Sequence, residues 1–300
     1  MSMDTSVRAS EIAAFLGLEL RGQDLEVRRP RSLARAEPHA LLFVKQHSPG
    51  AAQALAEAEG AFAILHQDFA GEDVGIAHVL SAEPRMDFTR ALARFFDHRE
   101  RDAWTAPTAI VSPGARIGRN VRIGHHSVID DDVEIGDGVE IRDFVVIRRG
   151  TRIGADTIVK SHTLVGEEGF GFEFDAAGVP LRIVHLGGVV IGRNVEIGSM
   201  NVIARGTLDD TRIDDHAKID DHVFIAHNAW IGENSVVIAG AEVSGSVQIG
   251  KGCWIAPQAC IINQATIGDG ALVGIGAVVT KNVEEGVVVA GNPAKVLRKR

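Results

Sequence analysis

The sequence predicts a mainly β protein, a parallel β-helix of six-residue repeats preceded by a small α/β domain. The repeat itself is the first observation: stepping by six from Ile117 reaches Ile123, Ile129, Ile135, Ile141, Ile147, Ile153, Val159 and Val165 without a break. The same register resumes at Ile191, Ile197 and Ile203, then runs from Ile213 through Ile219, Ile225, Ile231, Val237, Val243, Ile249, Ile255, Ile261, Ile267 and Val273 to Val279. Second, every position in it is aliphatic and β-branched, which suits the inward face of a short strand. Third, a period of six matches neither an amphipathic helix nor a simple alternating strand; it matches a short strand plus a tight turn, three to a coil.

The elements follow in order. Before Ile110 the repeat is absent and the pattern is mixed, so residues 1–104 are assigned to the α/β domain. Residues 10–18 read as a helix with Ser10 as its cap, 41–44 as a strand and 51–59 as a second helix. Phe88, Leu92, Phe95 and Phe96 form an apolar stripe at helical spacing and are assigned to the core. The boundary falls in the charged, proline-containing stretch 98–109. The β-helix occupies residues 105–290, its aliphatics stacking coil on coil and its Gly, Asp and Asn residues sitting at corners that need a permissive backbone. Two breaks in register, near 166–186 and 204–212, are loops thrown out from corners, and such loops on a rigid scaffold are where function concentrates. Residues 291–300 form a short basic tail.

Composition narrows the function classes. A net charge of -9, from 31 basic and 40 acidic residues, leaves no basic surface for nucleic acid. The N-terminal stretch lacks a basic start followed by a long apolar run, and no segment approaches a membrane span, so a cytoplasmic protein without a transmembrane segment is expected. Cys253 and Cys260 are spaced as neither a zinc pair nor a redox dithiol and are read as wall or core residues. No metal site is expected, because zinc would need several matched histidines.

Three segments, LVGEEGFGF, ARGTLDDTRIDDHAKIDDHVFIAHNAWIG and AGAEVSGSVQIGKGCWIAPQA, together with the α/β leader, resemble the UDP-3-O-(3-hydroxyacyl)glucosamine N-acyltransferases of lipid A synthesis, members of the hexapeptide-repeat acyltransferase superfamily. The resemblance implies a left-handed coil and a homotrimer with sites between subunits. It also implies an enzyme that moves a 3-hydroxyacyl chain from acyl carrier protein to the 2-amine of a UDP-3-O-acylglucosamine-like sugar. The histidine of IAHN, His227, takes the role of general base, and imidazole suits that role because the ammonium must lose a proton near neutral pH before it attacks a thioester. The leader is implied to contact the nucleotide, with Phe43 and Gln46 at the uridine. Phe170 and Phe172 of the GFGF loop, and His185 near its end, are implied substrate contacts.

The unbroken register adds a reading of its own. Residues eighteen apart stack one coil up, about 4.8 Å away, so His227, Gly245 and Asn263 form one column and Asn228, Ser246 and Gln264 its neighbour. Asn228 is taken as a substrate contact. Gly245 leaves room beside the histidine for an acyl chain or pantetheine arm, and Asn263 or Gln264 offers an amide to the oxyanion or the donor. Asp209 and Asp210 precede His227 by about one coil and are candidate partners for its imidazole. Trp230 and Trp254 are candidates either to wall the groove or to block it. Asn263 and Gln264 stand where the family has a second histidine, and Pro49 where it has a tyrosine.

No bound cofactor is expected, the acyl group arriving on the phosphopantetheine of acyl carrier protein or on CoA. Two other functions fit the residues: a nucleotide-sugar N-acetyltransferase using acetyl-CoA, and a non-catalytic β-helix that binds a partner.

Overall fold

The structure is a computed structural model that describes residues 6–100 and 102–300. The first five residues, part of the stretch read for a leader, and Arg101, inside the expected boundary, lie outside the described residues. The chain divides into two units, Met1–Glu100 and Arg101–Arg300.

In the first unit the strands Arg29–Pro30, Ala40–Val44, Phe62–His66 and Ala77–Ser81 form a parallel sheet in sequence order. A parallel sheet buries both faces, and Ala40–Val44 shows how. Leu41 and Phe43 point into one core with Ile12, Phe62, Ile64 and Val79, while Leu42 and Val44 point into another with Leu55, Leu65 and Phe69. Three helices cover the sheet: α1 (Ala9–Leu16), α2 (Pro49–Ala56) and α3 (Pro84–Ala91), the last continued by a π-helical turn at Leu92–Phe96. Phe88, Phe95 and Phe96 pack on the first core, as their spacing predicts. The capping differs from the expectation for Ser10. Ser10 sits inside α1 with its hydroxyl on Asp24, whereas Ser48 caps α2 by accepting from Ala51 N–H at 3.2 Å.

The second unit is a left-handed parallel β-helix of three sheets. Each six-residue step supplies one strand, most of two residues, and each strand pairs with the one a coil below. Ile117, Ile135, Ile153, Ile191, Ile213, Ile231, Ile249 and Ile267 stack in one sheet. Pairing of Ile153 with Ile191, and of Ile191 with Ile213, carries the register across both loop insertions. Nearly all the repeat aliphatics are fully buried in one continuous core, and each contributes about 1.5–3 kcal/mol by removal from water. The corners use two kinds of permissive residue. Gly136, directly after a core isoleucine, allows close approach of the coils, since a Cβ there would lie 2.8 Å from Ala155 N. The residue two places further on adopts a left-handed backbone, Gly138 in that turn (φ 70°) and Asn228 at another (φ 60°).

Both ends of the β-helix differ from expectation. Trp104–Thr105 pairs with Arg122 and Ile123 and is the first strand of the stack, so the coil begins earlier than position 105. The basic tail, residues 291–300, contains a strand. Lys295–Lys299 forms a strand antiparallel to Val287–Ala290, and the Arg300 guanidinium donates to the carbonyls of Gly252 and Gly270. Cys253 is buried, and Cys260 lies on a strand of the wall. No helix among the described residues is long and apolar enough to cross a membrane.

Candidate active site

His227 sits on a corner of the β-helix, between the strands Phe224–Ile225 and Trp230–Ile231. Register brings its neighbours to it: Ser246 N–H donates to the His227 carbonyl, and Gln264 N–H to that of Gly245. The stacked columns read from the eighteen-residue spacing are therefore present. His227, Gly245, Ser246, Asn263 and Gln264 line one cleft of about 330 Å³ together with Gly169 and Phe170 of the 166–186 loop. That loop is a hairpin, Phe172–Phe174 paired with Pro180–Arg182. Phe224, Ala226, Glu242 and Ser244 complete the lining. These four were not singled out in the sequence, although the same spacing that links Gly245 to His227 also pairs Glu242 with Phe224.

The imidazole is held by its neighbour in sequence. His227 Nδ1 lies 3.1 Å from Asn228 Oδ1 and 3.4 Å from Thr207 Oγ1. The amide orientation follows from its other bonds. Thr207 N–H donates to the same Oδ1 at 3.0 Å, and Asn228 Nδ2 donates to the Asp209 carbonyl at 2.9 Å. An oxygen that accepts from both sides requires a proton on His227 Nδ1, which leaves the lone pair on Nε2. Both polar atoms of the Asn228 side chain are thus bonded within the protein.

Neither Asp209 nor Asp210 touches His227. Asp210 accepts from Gly188 N–H at 2.8 Å and from Arg152 at 2.6 Å, and Asp209 supplies its backbone carbonyl to Asn228. The four-residue excess in the 204–212 loop places these carboxylates outside the column of His227. Gly245 is also used differently than expected. A Cβ there would lie 2.8 Å from both Cε1 and Nε2 of His227, so the room it leaves is filled by the imidazole itself.

The remaining residues divide. Phe170 is 84% exposed at the cleft, while Phe172 packs between Phe170, with centroids 4.8 Å apart, and the Arg182 guanidinium. His185 is buried behind Gly169, its ring 5.2 Å from that of His227, and is not part of the cleft lining. Burial, with the nearby His227 charge, lowers its pKa from 6.5. Neither Trp230 nor Trp254 lines the cleft, and the Trp230 indole donates to Asp214. Phe43 and Gln46 belong to the first unit. Gln46 is exposed just beyond its strand, but Phe43 packs 4.6 Å from Phe88 in the core, so that face of the ring is not free to stack on a base.

No family model matches the chain. It is 32% identical over 231 residues to UDP-3-O-acylglucosamine N-acyltransferase of Pseudomonas syringae pv. tomato and 35% identical over 215 residues to that of Paracidovorax citrulli. Each alignment covers 70% of this chain and 64% of the relative, so the chain spans somewhat less than two thirds of these relatives' length. Among solved structures, LpxA of Acinetobacter baumannii matches 64% of this chain and 73% of its own, at 26% identity and a TM-score of 0.59. UDP-N-acetylglucosamine acyltransferase of Campylobacter jejuni matches 65% and 75%, at 26% identity and a TM-score of 0.59.

Proposed function

Because the chain is a relative of the UDP-3-O-acylglucosamine N-acyltransferases, we propose that it is an N-acyltransferase of lipid A synthesis, moving a 3-hydroxyacyl chain from acyl carrier protein to the 2-amine of a UDP-3-O-acylglucosamine-like sugar. The observation that carries the reading is the tautomer of His227: Asn228 holds the Nδ1 proton, and Nε2 is left as an acceptor at the cleft. In the proposed reaction Nε2 takes a proton from the sugar's amine as its nitrogen attacks the thioester carbonyl. A carbon–nitrogen bond forms, the carbon–sulfur bond breaks, and the imidazolium returns its proton to the departing thiolate. The exposed amides of Asn263 and Gln264, in the same cleft, supply donors for the oxyanion or for the donor's arm.

The same proposal includes a homotrimer in the cytoplasm and a nucleotide contact from Gln46. Supporting the trimer, Phe170, Phe174, Leu181, Leu186 and Leu208 of the two loops are each more than half exposed in the single chain, a run of apolar surface that a neighbouring subunit would cover. Sedimentation of the protein as a stable monomer would sink it.

The deciding experiment offers 3-hydroxyacyl chains on acyl carrier protein, and acetyl on CoA, to UDP-amino sugars, with wild type beside His227→Ala. Transfer of the long chain by wild type and its loss in the variant are expected. Transfer from acetyl-CoA alone would move the chain to the nucleotide-sugar N-acetyltransferases, and no transfer from either donor would overturn the proposal.

A further inference from the structure

His185 is 3% exposed, and its two ring nitrogens are treated unequally. Nδ1 lies 2.9 Å from the Ile183 carbonyl, which can only accept, so Nδ1 carries the proton and Nε2 the lone pair. That Nε2 is buried and has no hydrogen-bond partner among the described residues. A buried acceptor without a partner is costly, about 1–3 kcal/mol in general, and the position of this one is informative. A methyl group placed on Gly169 would lie 2.8 Å from His185 Nε2, 3.0 Å from His227 Cβ and 3.1 Å from His227 Cδ2. The lone pair and the edge of the His227 imidazole therefore flank the same α-carbon. The two rings meet at 69°, edge to face.

We propose that His185 is a positioning residue for His227: its neutral ring, locked on the Ile183 carbonyl, sets the unpaired Nε2 beside the His227 imidazole and stabilises that ring when it carries a proton. This rests on His227 being the base of the proposed reaction. Gly169 and Gly171 make the arrangement possible, since a Cβ at Gly171 would lie 3.2 Å from His185 Cε1. The other charges are placed around this pair. Glu168 and Arg182 of the hairpin loop act on His185 with opposite sign, and Glu242 lines the cleft one coil above His227. On the loop below, the Asp210 carboxylate is bonded to Arg152 and Gly188 N–H, and Asp209 bonds Asn228 through its backbone carbonyl. Burial disfavours the charged form of His185.

The test is the titration of His227, followed by its Cε1 proton resonance in wild type, His185→Phe and His185→Gln. Removing the lone pair in His185→Phe is expected to lower the His227 midpoint by about half a unit or more, and His185→Gln, which keeps an acceptor, to restore most of it. In turnover the acid limb of kcat/KM shifts to lower pH in the Phe variant, and kcat on the plateau falls about two- to threefold because the base is weaker. A KM near wild type is expected. His185→Leu, also without a lone pair, is read in the same way if the Phe variant does not fold. Equal midpoints in wild type and the apolar variants would overturn the inference, as would failure of His185→Gln to restore the midpoint. The resonance needs no turnover, so a wild type that transfers no acyl group would overturn the proposed reaction while the titration still decides the role of His185.

Discussion

Asn228 Oδ1 lies 3.1 Å from His227 Nδ1 and also accepts the Thr207 N–H, so two adjacent residues on one corner settle which nitrogen of the imidazole is basic. Asn228 has a left-handed backbone, φ 60°, which glycine adopts without strain. In Asn228→Gly the corner is expected to survive while the tautomer is no longer held. kcat should fall about ten- to hundredfold, a fraction of what a general base contributes, and the unfolding midpoint should drop with the loss of the bonds to Thr207 and Asp209, about 1–2 kcal/mol in total. A steady-state assay beside thermal unfolding checks both, and full activity in the variant would show that the amide does not orient the base.

Gly245 is expected to be intolerant of a single added methyl. The Cβ of Gly245→Ala would meet Cε1 and Nε2 of His227 at 2.8 Å, inside van der Waals contact, and the imidazole must turn away. Misplacement of a catalytic group by about 1 Å costs on the order of a hundredfold. The backbone of Gly245 is not left-handed, so the coil itself should hold. Circular dichroism identical to wild type, with kcat/KM reduced by that order, is the expected pair of results.

How far these relationships were legible follows from how each is encoded. The core isoleucines and the stacking of Gly245 over His227 are carried by a repeat that the backbone repeats strictly, so counting by six and eighteen reaches them. The partner of His227 was not legible. The excess residues in the 204–212 loop break the count, and without it the carboxylates of Asp209 and Asp210 look closer to the imidazole than the loop's turn allows. Asn228 was in plain view, but its role depends on a side chain bonding backwards to Thr207 and Asp209, which no spacing specifies. The strand within the basic tail was not legible for another reason. Basic composition suggests solvation, while the pairing of Lys295–Lys299 with Val287–Ala290 depends on backbone bonds that are open to any side chain.

Asp210 is expected to matter for stability and not for the base. Its carboxylate ties Gly188 N–H to Arg152 across the loop, and in Asp210→Asn the charge-assisted part of both bonds is lost, about 1–2 kcal/mol in total for a partly exposed site. Urea unfolding should register that loss while the acid limb of kcat/KM stays in place. A drop in kcat of several thousandfold with the fold intact would instead return Asp210 to the role of a triad carboxylate.

Acid sensitivity of the fold should trace in part to His185. Burial is the largest cause of its lowered pKa, followed by opposing contributions from the Ile183 bond and the His227 charge. The unfolded chain therefore binds the proton more readily than the folded one, and stability rises with pH wherever that is so. The contribution is fully present above the ordinary value of 6.5 and is lost as the pH falls from there toward the lowered folded value. In His185→Gln no group titrates at that position. Unfolding free energy measured in urea from pH 8 to pH 5 should then decline less steeply in the variant than in wild type, the two curves diverging only below about pH 6.5. Parallel curves through that window would mean that His185 takes up its proton in the folded state as readily as in the unfolded one.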